Sequence, residues 1–192
     1  MLKRLIASHE VFICLFLGIT FFGSGMAKLY TDHAYFGWIG PVWLEERLAP
    51  HGLGLYARFV AFSQIVIGYL IFTYRFRVLG AVMAIPLIAN ILMVTVSLQW
   101  RGTPQVIAVL LLMNLYLIYR HRHVLSSIIG VAGREVVALS TKYSLIWLTG
   151  LLLNLTSIFL SVYSIPLAWG LSLAGLAVSF YTNRMEMKNK NY

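Results

Sequence analysis

The chain is short of acid, of cysteine and of charge altogether: its 192 residues hold six Asp and Glu, one Cys, and only 11% charged residues. Beside a hydrophobic content of 60%, so small a charged fraction excludes an ordinary soluble domain, in which about a quarter of the residues are charged. The single cysteine, Cys14, excludes an internal disulfide and a CxxC pair, and with them thiol–disulfide chemistry by this chain alone.

Metal and haem ligand sets are lacking as well. His9 and His51 are expected near opposite membrane faces, too far apart for one iron. His121 and His123 form an H-x-H, but on a continuous helix they point about 200° apart, and the flanking Arg120 and Arg122 repel a cation. Asp32 and His33 are adjacent with no nucleophile motif around any serine. No catalytic residue, metal site or intrinsic cofactor is therefore assigned. Glu10 beside His9 reads as a solvated helix start, with a proton-active pair as the lesser alternative.

What is present is long apolar runs: Val11 to Tyr30, Tyr56 to Tyr74, Val78 to Trp100, Pro104 to Tyr119, Tyr143 to Tyr163 and Ile165 to Tyr181. Each is near the ~20 residues that cross ~30 Å of hydrocarbon as a helix. The expectation is an all-α membrane protein with six transmembrane helices. The basic start Met1 to Arg4 resembles that of a signal peptide, but the run behind it exceeds an h-region of ~7–15 residues, so it reads as a retained span.

Basic residues sort by loop. With a cytoplasmic amino terminus, the inner segments hold Lys3, Arg4, Arg75, Arg77, Arg120, Arg122, Arg134, Lys142, Arg184, Lys188 and Lys190, and the outer ones Lys28, Arg47, Arg58 and Arg101. Eleven against four is the bias expected for N-in/C-in insertion. The formal charge of +9 thus belongs at an anionic lipid surface, and no nucleic acid partner is expected.

The organisation expected is a four-helix membrane unit over 1–123, a cytoplasmic interfacial amphipathic segment over 124–142 broken around Gly130 and Gly133, and a two-helix appendage with a frayed polar tail over 143–192. The outer stretch Thr31 to Gly54, with Tyr35, Phe36, Trp38 and Trp43, suits an interfacial loop, and Pro41 to Ala49 suits a short helix. Gly170 and Ala174 form a small-xxx-small pair suited to close crossing.

Polar residues recur inside the spans. Thr20, Gln64, Asn90 and Asn114 fall at similar depth, roughly 12–15 Å below the outer ends, at ~1.5 Å per residue. Thr20, Ser24 and Lys28 lie on one helical stripe, and Pro86, Asn90, Ser97 and Arg101 on another. Two readings stand together: amides gluing helices at ~0.6 kcal/mol each, or a shared cavity. On the second, Lys28, Arg58 and Arg101 ring an outer mouth above a pocket lined by Gln64, Asn90 and Asn114. On the first, those cations snorkel to lipid or pair with Asp32, Glu45 and Glu46, and Arg47 is a surface residue.

The run Gly18 to Leu29, GITFFGSGMAKL, resembles the first-helix signature of the DoxX and DoxX-like membrane proteins, and the resemblance continues through Phe62 to Leu70, the Arg75 to Arg77 turn and Gly80 to Met83. It spans roughly Gly18 to Tyr119 and implies a four-helix bacterial inner-membrane protein, linked in some members to quinone-dependent sulfur oxidation or to redox partners. Gln64 stands where that family often has Glu, which removes a proton carrier, and the last two spans lie outside the usual unit.

Together these imply a multi-pass protein of the bacterial inner membrane that binds a quinone or a lipid, as a subunit of a membrane complex or as a homo-oligomer. Quinone is then a bound ligand, and the chain is not an autonomous enzyme; any enzymatic role is that of a quinone-linked oxidoreductase subunit. Two other classes are a small-solute transporter or channel, and an assembly subunit docking partners through Arg120 to Lys142.

Overall fold

The computed structural model describes residues 2–37, 39–128 and 140–190, without the side chains of 2–8, 127–128 and 187–190. It is 84% helical, with no strand among the described residues. The helices are α1 (Leu2–Leu29), α2 (Leu44–Leu48), α3 (Gly54–Phe72), α4 (Arg77–Ser97), α5 (Thr103–Arg120), α6 (Arg122–Ile128), α7 (Thr141–Leu160) and α8 (Ile165–Lys190). All but the short α2 and α6 are long and apolar enough to cross a membrane: six in number, with α1 qualifying over His9–Leu29 and α8 over Ile165–Glu186. Trp38 and the expected amphipathic stretch across Gly130 and Gly133 lie outside the described residues.

The helix ends follow local chemistry. At the end of α4 the chain reverses with Gln99 at φ 53°. Its N–H donates to Val96 O and that of Trp100 to Thr95 O, both at 3.0 Å, which is the Schellman pattern with Gln where Gly is usual. Gly102, at φ 84°, then turns the chain into α5, where Pro104 occupies a first-turn position that has no N–H to satisfy. Between α3 and α4, Tyr74 holds φ 62° while its hydroxyl donates to Val11 O at 2.7 Å.

The chain divides into two compact units, the first Met1–Phe22 with Ile67–Val136, the second Gly23–Val66 with Val137–Tyr192. In the first, α1 and α3 touch backbone to backbone: a Cβ at Gly68 would lie 2.7 Å from Gly18 O and closer still to Phe22 N. Phe22, Tyr69 and Phe72 fill the space beside that contact, with ring centroids 5.3 to 5.8 Å apart. Asn114 of α5 reaches the backbone of α4.

In the second unit α7 and α8 pack along polar, small-residue seams. Asn154 and Ser157 are buried on α7 and Ser161 just past its end, and Ala168, Ser172, Gly175, Ser179, Thr182 and Glu186 on α8, in alternating steps of three and four. A Cβ at Gly175 would lie 2.6 Å from Gly150 O. Gly170 and Ala174, the pair expected to make the close crossing, are both exposed. The helix turns the phase carrying Gly175 inward, because Ser172 and Ser179 on that phase find acceptors on α7.

That seam extends into the loop after α1. Tyr30 Oη lies 2.6 Å from Ser157 Oγ and Tyr35 Oη 2.8 Å from Ser172 Oγ. Ser172 donates to Asn154 Oδ1 at 2.8 Å, and Asn154 Nδ2 to Gly150 O at 2.8 Å. Trp169 stacks on Tyr35 at 4.7 Å and donates its indole N–H to Ala34 O at 2.8 Å. Apolar surroundings push the Tyr35 phenol up to about 12, the Ser172 contact opposing only part of that rise.

Candidate functional site

Three of the six residues expected to bind ligand, Lys28, Arg58 and Gln64, belong to the second unit. Lys28 ends α1 and folds back on it, donating to Ser24 O at 3.0 Å and to Ser24 Oγ at 2.5 Å. Gly40, at φ 107°, brings the following loop over this pair, since a Cβ there would meet Ser24 Oγ at 2.9 Å and Lys28 Nζ at 3.9 Å. An ammonium has three donors, so two acceptors leave one N–H uncommitted. Among the described residues no acid pairs with it.

Arg58 is exposed, with Nη2 2.6 Å and Nε 2.7 Å from Glu45 Oε1. Its charge is engaged by the acid of α2, as the anchoring reading expects, and solvent screens an exposed pair of this kind. Arg47 lies over the Trp43 ring at 5.0 Å. Gln64 is different: it is buried on α3 and its Oε1 has no hydrogen-bond donor. Beside it, a Cβ at Gly25 would lie 2.6 Å from Ala61 O, so α1 and α3 meet too closely there to admit a larger residue.

Asn90, Arg101 and Asn114 belong to the first unit. Asn114 is fully buried and its Nδ2 donates to Ala81 O at 2.8 Å, leaving Oδ1 without a donor. That bond is made at one register of α5 against α4. Asn90 lies nine residues beyond Ala81 on α4, about 13 Å further along the axis at 1.5 Å per residue, so the two asparagines are not level. Pro86, Asn90 and Ser97 share one stripe of α4, Arg101 lies past the reversal at Gln99 and so off that stripe, and all four are exposed. The structure therefore brings none of Asn90, Arg101 and Asn114 together. Thr20 is buried with its Oγ1 unbonded.

A cluster that the sequence reading passed over forms at one end of the first unit. Glu10 Oε1 lies 2.7 Å from Arg77 Nη1 and 3.2 Å from His121 Nε2, and His121 Nδ1 lies 3.0 Å from Leu117 O. Glu10 is not a solvated helix start: its side chain is 13% exposed, because it continues the inward stripe of Cys14, Leu17 and Phe21. That four-three-four spacing was the available signal. His121 falls in the turn between α5 and α6, which breaks the helical phase, and its ring stacks on that of His123 at 6.2 Å rather than pointing away.

No family model, curated protein or solved structure matches the chain.

Proposed function

We propose that this is a DoxX-like protein of the bacterial inner membrane, inserted with both termini in the cytoplasm, that binds a lipophilic molecule carrying a carbonyl or anionic head, a quinone or a lipid. The observation that carries this reading is Lys28, a half-buried ammonium at the end of a membrane-spanning helix with no acid partner among the described residues and one N–H to give. Gln64, in the same unit, supports it with a buried acceptor in need of a donor. A carbonyl or phosphate oxygen answers the first group and a hydroxyl, such as that of a quinol, answers the second. Arg58, occupied by Glu45, is peripheral in this reading.

The test is binding to the purified full chain, followed by tryptophan quenching, of a short-chain ubiquinone, its quinol and phosphatidylglycerol. Saturable binding of one of them, weakened about tenfold or more in Lys28→Ala and Gln64→Leu and unchanged in Arg101→Ala, is expected; losing a hydrogen bond to a charged group is worth ~1.5–3 kcal/mol. Equal, unsaturable partitioning into all four proteins overturns the assignment.

A second reading, an assembly subunit, is favoured by the exposed stripe of α4. An amide facing lipid has no hydrogen-bonding partner, so Asn90 with Ser97 on one outer face suits contact with another membrane helix, of a partner or of a second copy. Crosslinking through cysteines placed at Ala89 and Met93, compared with Leu112, would distinguish this face from one that meets only lipid.

A further inference from the structure

We infer that Glu10 and His121 form a proton-binding site at one end of the first unit, with Arg77 holding the carboxylate between them. The three residues come from α1, the turn that follows α5 and the start of α4, so the site ties three membrane-spanning helices. The His121 side chain is 11% exposed and that of Glu10 13%, enough for a proton to pass to water.

The protonation states follow from the acceptors around the ring. His121 Nδ1 faces the Leu117 carbonyl and Nε2 faces Glu10 Oε1. A neutral imidazole has one donor nitrogen, so engaging both acceptors takes one further proton, on the ring or on the carboxyl. Glu10 Oε1 is buried and has no well-aligned hydrogen bond despite its two close neighbours, which leaves it the capacity to share that proton. When the proton departs to solvent, the Nε2 lone pair and a carboxylate oxygen face each other at close range, and the contact between α1 and the end of α5 loosens.

The neighbours set the balance. From α1 these are His9, exposed, and Cys14; from the α3–α4 turn Tyr74, Arg75 and Arg77; from the α5–α6 turn Arg120, Arg122 and His123. Glu10 is the single acid among the described residues of this unit. Its Oε1 faces both the His121 ring and the Arg77 guanidinium, so one carboxylate oxygen is shared between the two. In the orientation proposed above, this end faces the cytoplasm.

The experiment is 15N NMR of histidine-labelled full chain in bicelles, titrated from pH 5 to pH 9, with the His121 signal identified by its loss in His121→Gln. The expected result is a His121 signal that changes with pH and whose course differs from wild type in both Glu10→Gln and Arg77→Gln, because each variant removes a charge held at Glu10 Oε1 beside the ring. Identical titration in wild type and both variants overturns the site. Where Glu10→Gln does not fold, wild type against Arg77→Gln decides alone: a displaced midpoint supports the site and a coincident one removes it.

Discussion

Asn114 donates its side-chain amide to the Ala81 carbonyl 2.8 Å away, a buried polar tie between α5 and α4. Replacing Asn114 with Ala should therefore lower stability, by about 0.5–1.5 kcal/mol for a buried interhelical bond in a membrane. Asn90→Leu, on the exposed face of α4, should leave the monomer's stability unchanged or raise it. Unfolding in mixed detergent micelles measures both; a larger loss at Asn90 would contradict the register.

The contact of Tyr30 with Ser157 ties the end of α1 to α7. Tyr30→Phe and Ser157→Ala should each destabilise, and the double variant should lose less than the sum, because both remove the same bond. The expected coupling is about 0.5–1.5 kcal/mol. Strict additivity in the cycle would mean that the two hydroxyls act independently.

Close packing at Gly175 allows a sharper comparison. Gly175→Val places carbon against Gly150 O and the Asn154 amide, so loss of the folded protein or destabilisation above ~2 kcal/mol is expected. Gly170→Ala, where nothing lies within 4 Å of the added carbon, should be neutral or mildly stabilising. The yield of monodisperse protein and its thermal midpoint report both.

Alkaline titration offers a pH test. Burial pushes both Tyr35 and Tyr74 up to about 12, and for a phenol this means that the folded state favours the neutral form. Their contribution to stability is thus complete below the unfolded value of ~10 and is lost as pH rises through about 12. Phenolate absorbance should show late-titrating groups coupled to unfolding, one fewer in Tyr35→Phe. Titration of Tyr35 near pH 10 in folded protein would contradict the burial.

Much of the architecture was legible in the run lengths. Six apolar stretches became six membrane-length helices. At the candidate site, Lys28 and Gln64 were legible as polar groups a lipid tail cannot satisfy. Arg58 was legible as a cation that either rings a mouth or pairs with an acid of the outer loop, and it pairs with Glu45. Glu10 and His121 were misjudged because their partners lie more than 60 residues away in the chain.

The sequence by itself determined that the chain is helical, where its membrane-length helices lie and where they break, since each depends on apolar length and turn residues within a few positions. Only the tertiary structure decided which stripe of each helix turns inward. It put Pro86, Asn90, Ser97 and Arg101 outside and Gly175, Ser172 and Asn154 inside. In a membrane span both stripes are largely apolar, so hydrophobic contrast cannot choose between them. The choice falls to backbone approach at small residues and to hydrogen bonds that exist only once two helices have met.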